Sequence, residues 1–153
     1  MADKTSSTTT IEAPRAVIMA VIADFAAYPQ WASGVRAADV LQAGPDGLAE
    51  RVRFTIDAGV IKDSYVLGYA WEHHDGVRWN LAERGAAISE MSGAYRLEES
   101  GGATKVTYEL TVGLAIPMIG MLKRQAEKRI IDTALKGLKG RVQQAVGESG
   151  GGG

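Results

Sequence analysis

Apolar and polar residues fall into three patterns along this chain. Thr8 to Glu12 alternates as a short strand, and Pro14 supplies the fixed φ favoured at the first position of a helix. Val17, Val21, Ile22 and Phe25 then recur at helical spacing, and Pro29 ends the segment just before Trp31, which predicts two short helices broken near Asp24. From Val35 to Ile116 the period changes to two, in runs separated by turn signals at Gly44 to Gly47, Ala58-Gly59, His74 to Gly76 and Ser100 to Gly102. Six antiparallel strands in meander order are expected there.

Aromatic spacing sets the expected registers. A three-residue loop ending in Gly76 pairs Trp71 with Trp79 and Tyr69 with Leu81, leaving Glu72 to face Arg78 on the other surface. In the next hairpin, pairing Glu98 with Lys105 sets Leu97 opposite Val106, Tyr95 opposite Tyr108 and Met91 opposite Val112. Carried across the sheet, the same face collects Tyr65, Leu67, Val52, Phe54 and Ile56, while Arg51 and Arg53 point outward. One face of the sheet is wet and the other needs a cover.

The cover is predicted over Pro117 to Val146. There Ile119, Leu122, Ala126, Ile130, Ala134, Leu138 and Val142 recur mainly every four residues, making an amphipathic helix of about 30 residues, or roughly 45 Å. A spacing of four exceeds the helical period, so the stripe drifts around the helix, matching a twisted sheet or a bend near Gly137 and Gly140. Residues 1–7 read as a flexible N-terminus, 8–146 as one domain and 147–153 as a disordered, glycine-rich tail.

Composition narrows the function classes. The 153 residues suffice for one globular domain, and the absence of cysteine excludes disulfides, thiolate metal sites and a cysteine nucleophile. The first ten residues lack the apolar core of a signal peptide and no apolar run approaches bilayer length, so a cytoplasmic location is expected. The net charge of −1 is uneven: Lys123, Arg124, Lys128, Arg129, Lys136, Lys139 and Arg141, against Glu127 and Asp132, make the last helix +5 and the remainder −6. That helix face is either simply solvated or drawn to an anionic surface.

No nucleophile elbow, phosphate loop, zinc-protease motif or dinucleotide fingerprint is present. His73 and His74 sit with Asp75 at a hairpin tip and read as a solvated turn; adjacent strand residues point to opposite faces, so the two are not expected to share a metal, and no metal or cofactor is expected.

In order, the elements are a strand, two helices, six strands and a long helix. The opening TIEAPRAVIMAVIADFAAYPQW, the run GATKVTYELTV and the segment IPMIGMLKRQAEKRIIDTALKGLKGRV together resemble the START-like superfamily, in its polyketide cyclase/dehydrase-type branch, over roughly Thr8 to Val146. The resemblance implies an α+β helix-grip fold: a seven-stranded antiparallel sheet wrapped around the C-terminal helix, with two short helices after the first strand. It also implies a cavity between sheet and helix, entered near the helix N-terminus.

With strand phase, it gives Trp31, Phe54, Tyr65, Tyr69, Trp79, Met91, Tyr95 and Tyr108 as the lining from the sheet side, and Met118, Met121, Leu122 and Gln125 from the helix. The methionines suit an adaptable apolar site and equally a plain core. Arg129 either turns inward to an anionic group or stays exposed beside Glu127.

The function implied first is binding or transport of a lipid-, quinone- or polyketide-like molecule. The second is an aromatase/cyclase or dehydratase enzyme, whose acid or base would come from an inward tyrosine, Asp63, Glu83 or Arg129. The third is an adaptor at a partner or anionic membrane through the basic helix. No specific nucleic acid is expected as partner, and the sequence leaves the oligomeric state open.

Overall fold

A computed structural model describes residues 4–32, 34–57, 62–115 and 120–151, with the side chains of 120–124, 126 and 147–151 outside that description. The elements are β1 (Thr5–Ile11), α1 (Arg15–Ala23), α2 (Tyr28–Trp31), β2 (Val35–Ala43), β3 (Ala49–Asp57), β4 (Lys62–Trp71), β5 (Gly76–Glu83), β6 (Ile88–Ser100), β7 (Ala103–Leu114) and α3 (Gly120–Gly151). A single 3₁₀ turn, Phe25–Ala27, joins α1 to α2. The strands form one antiparallel sheet in the order β1-β7-β6-β5-β4-β3-β2, the helix-grip arrangement expected.

The β6–β7 hairpin has the expected register, with Leu97 opposite Val106, Tyr95 opposite Tyr108 and Met91 opposite Val112. The β4–β5 hairpin does not. Tyr69 pairs with Trp79 and Trp71 with Val77, because the three-residue turn is His73–His74–Asp75, closed by the Glu72 amide donating to the Gly76 carbonyl, rather than the expected loop ending in Gly76. His73 takes the left-handed conformation at φ 53°, and β5 opens on Gly76, where a Cβ would lie 2.2 Å from the Tyr95 carbonyl oxygen. The slip is two residues, so every side chain keeps its face. Glu72 and Arg78 still form an ion pair at 2.7 Å, though Arg78 stands opposite Ala70.

Two boundaries move. β1 begins at Thr5, not Thr8, and pairs Thr5 with Leu110 and Ser7 with Tyr108. Its Thr- and Ser-rich start offers no apolar burial, which is why it reads as a tail. Polar contacts hold it instead: Lys4 to Glu109 at 2.9 Å, Lys128 donating to Ser7, and Thr5 donating to Glu127. Pro29 does not stop the helical segment but sits in the first turn of α2, where a missing N–H costs nothing. At the other end α3 extends to Gly151, beyond the tail boundary expected at Gly147; glycine weakens a helix by about 1 kcal/mol but, unlike proline, keeps its N–H, so the ladder can run on.

α3 covers the apolar face. Leu138 and Val142 are buried and Ala134 packs against the core, as expected, and Ile131 and Leu135 are buried beside them, whereas Ile130, expected in the stripe, is 48% exposed. The stripe lies one residue further along at this turn because the helical period is 3.6, and a buried Glu127 takes the place an apolar side chain would hold. Burying each of those four side chains contributes about 1.5–3 kcal/mol. The helix reaches its seat at Gly137, where a Cβ would stand 2.3 Å from the Trp31 carbonyl oxygen.

That contact makes a paired prediction. Gly137→Ala should destabilise the fold by about 1–3 kcal/mol through overpacking, despite alanine's better helix propensity. Gly140→Ala, where a Cβ meets nothing within 4 Å, should be neutral or stabilising by up to about 1 kcal/mol. Urea unfolding of the two variants measures both, and a stable Gly137→Ala would remove the close-contact account.

Candidate functional site

Between the sheet and the N-terminal half of α3 lies a cavity of about 580 Å³. Phe54 and Ile56 reach it from β3, Tyr65, Leu67 and Tyr69 from β4, and Trp79 from β5. Ile88, Met91 and Tyr95 follow from β6, and Tyr108, Leu110, Val112 and Leu114 from β7. Tyr28, Trp31, Ala32 and Val35 close one end, and Glu127, Arg129, Ile130, Thr133 and Ala134 form the helix wall.

Eight expected positions therefore come together on one cavity: Trp31, Phe54, Tyr65, Tyr69, Trp79, Met91, Tyr95 and Tyr108. Gln125 does not join them. It is exposed and lines a separate open groove between β1 and α3, because the helix turns its Glu127 and Ile131 edge inward. Arg129 is exposed at the border between that groove and the cavity, without an ion-pair partner among the described residues. Met118 lies outside the described residues, as do the side chains of Met121 and Leu122.

The aromatic lining is built by cross-strand packing. Tyr95 and Tyr108 meet edge to face at 4.6 Å, and Trp79 sits against both and against Tyr69. Gly93, the cross-strand partner of Trp79, gives the indole its place: a Cβ at Gly93 would lie 2.4 Å from the Trp79 ring.

Buried polar groups divide sharply. Tyr28 donates to the Ile22 carbonyl and Trp71 to the Ala49 carbonyl, so both are satisfied inside the protein. The hydroxyls of Tyr65, Tyr69, Tyr95 and Tyr108 meet no hydrogen-bond partner among the described residues, and all four side chains line the cavity. The Trp31 Nε1 is also buried without a partner there. Burial holds the phenols of Tyr28, Tyr65, Tyr69, Tyr95 and Tyr108 above their ordinary value of 10.0, with neighbouring tyrosines adding to the rise at all but Tyr108.

The two carboxyls expected to face inward do not serve the cavity. Asp63 is tied to the turn before β6: burial raises its pKa, but donation from the amides of Ile88, Ala86, Ser64 and Ala87 outweighs this and holds it below the ordinary range. Glu83 is displaced by a bulge in the β4–β5 ladder, onto the outer surface, where Arg51 binds it at 2.7 Å. His73 and His74 lie in the hairpin turn with Asp75, as expected, but their rings stack at 4.3 Å instead of pointing to opposite faces.

Sequence reasoning missed Glu127. It is 2% exposed, lines the cavity, and accepts hydrogen bonds from the Thr5 hydroxyl at 3.1 Å and the Val112 amide at 2.9 Å. Val112 lies past the described β1–β7 register, so the carboxylate takes up a strand amide that β1 does not reach. The usable signal was its position four residues before Ile131 and eleven before Leu138, on the buried edge of α3.

The profile of the family described as Polyketide cyclase / dehydrase and lipid transport matches residues 11–139. The chain belongs to that family. Solved structures share its fold at low identity. One is a START superfamily protein from Mycobacterium smegmatis, 20% identical, with a TM-score of 0.86 over 93% of this chain and 98% of the other. The Zhui aromatase/cyclase from Streptomyces sp. R1128 is 14% identical, with a TM-score of 0.79 over 95% and 96%. A protein from Thermus thermophilus is 22% identical, with a TM-score of 0.77 over 94% and 99%. No curated protein matches the sequence. Among the described residues no helix is long and apolar enough to cross a membrane.

All five tyrosines of this family member have raised values, which makes a pH prediction. The folded state keeps its phenol protons at pH values where the unfolded chain releases them. Stability is therefore complete below the unfolded value of 10.0 and falls as pH rises above it. Phenolate absorbance should stay absent around that pH in the native protein and appear on unfolding. A tyrosine titrating normally in the folded state would contradict the packing described.

Proposed function

We propose that this protein binds and carries an apolar, oxygen-bearing small molecule in the cavity beneath α3. The observation that carries the reading is the combination of an aromatic-lined hollow of about 580 Å³ with four phenol hydroxyls that the protein leaves without partners among the described residues. These hydroxyls open onto the hollow, so an oxygen-bearing ligand can hydrogen-bond with them there in addition to the gain from apolar contact. The volume lies within the range of ordinary small-molecule sites.

An aromatase/cyclase-type reaction, raised by the likeness to the Streptomyces protein, receives less support. Asp63 and Glu83 serve structure elsewhere, and burial drives the lining phenols away from neutral pH as acids or bases.

The test is uptake of an apolar fluorescent dye, with displacement by a lipid or quinone extract and native mass spectrometry of the loaded chain. Wild type should enhance the dye. Gly93→Ala, which drives the Trp79 ring toward the hollow, should weaken uptake by about tenfold, or 1.4 kcal/mol. Bare chain throughout, with no dye enhancement, would end the carrier reading.

Contact with an anionic membrane stands second, on one observation: Arg129 and the exposed Ile130 lie together on the cavity wall of a helix whose Lys136 is also exposed. Binding to phosphatidylserine vesicles that weakens steeply between low and physiological salt is the expected result, and binding insensitive to salt would count against it.

A further inference from the structure

Resting on the reading of the cavity as a binding site, we infer that Glu127 sets its charge selectivity, favouring ligands that present a hydrogen-bond donor, an ammonium or hydroxyl group, over ligands that end in an anion.

The charges around the hollow carry this. Glu127 is almost wholly buried, and both groups that bond it, the Thr5 hydroxyl and the Val112 amide, are neutral. A carboxylate has about four acceptor sites, so two bonds leave capacity on the oxygens. Among the described residues no Lys or Arg lies within ion-pairing distance of it: the neighbouring Lys128 turns to Ser7 and Asp132, and Arg129 is exposed at the border.

The other lining carboxylate, Asp57, is met by Arg36 at 3.2 Å and Lys62 at 4.0 Å. Among the described residues, Glu127 is thus the lining carboxylate that no cation offsets. Arg129 also lines the hollow, but it is exposed and water screens its charge; the tyrosine hydroxyls and the Trp31 Nε1 can hydrogen-bond a neutral oxygen but bring no positive charge to compensate a buried anion. Beside a carboxylate as buried as Glu127, an incoming carboxylate meets repulsion and an ammonium attraction.

Decylamine, decanol and decanoate test the idea, since they share one chain and differ in head-group charge at neutral pH. Each is titrated against dye-loaded wild type and Glu127→Gln. The amide retains an acceptor for the Val112 amide and a donor for Thr5, so the substitution keeps the local bonding. Wild type should bind decylamine at least about tenfold more tightly than decanoate, with decanol between, and E127Q should bring amine and carboxylate within about threefold of each other. Should E127Q not fold, Thr5→Val, which strips one donor from the carboxylate, should widen the preference for the amine.

Decanoate binding as tightly as decylamine overturns the inference while leaving the cavity reading in place. A preference unchanged in folded E127Q, or in Thr5→Val where that variant is the one read, does the same. If none of the three displaces the dye, the cavity reading fails and this inference falls with it.

Discussion

How closely one helix can approach a twisted sheet decides the architecture of this protein. The sheet presents a long apolar face, and α3 is the helix that spans it. Its middle and C-terminal half come down where Gly137 meets the Trp31 carbonyl and where Ile131, Leu135, Leu138 and Val142 reach the core. Along residues 127–134 the helix borders the hollow, across which lie large rings that pack against one another at tilted and edge-to-face angles. A straight helix over a twisted surface fits closely along only part of its length, and here the loosely fitted part is the cavity.

Polar atoms mark the same division. Where the protein packs tightly, Thr104 donates to the Ala13 carbonyl and Trp71 to that of Ala49. Around the hollow the pattern reverses, and phenols that could have been phenylalanines keep hydroxyls the described fold does not use. Such groups cost stability unless something occupies the space, which separates a binding cavity from a packing flaw. Glu127 belongs to both regimes: its two bonds tie α3 to the edge of the sheet, and it lines the space.

Much of this was legible from alternation alone. Strand phase has only two values, so placing Leu97, Tyr95 and Met91 on one face assigned their partners on β7 and, across the sheet, the aromatic lining. Helix phase is continuous and harder to read. Apolar residues at both Ile130 and Ile131 left the stripe ambiguous, and the spacing of four favoured the one that is exposed. Glu127 escaped because a charged residue on a basic helix is normally solvated, and its partners, Thr5 and Val112, are remote in sequence. Asp63 and Glu83 were placed by strand phase, which cannot anticipate a bulge or a turn that wraps its amides around a carboxylate.

The hairpin turn at His73–His74–Asp75 also bears on how such a cavity can change over evolutionary time. The true pairing differs from the expected one by two residues, and Tyr69 and Trp79 stay on the lining in both. A shift of one would have put the two rings on opposite faces of the sheet, one of them in solvent. Insertions and deletions at this tip are therefore filtered by parity: odd changes remove a ring from the lining, whereas even ones slide its rings along the strand and remould the hollow. The cavity's shape can drift in discrete steps at an exposed turn, with no substitution inside it.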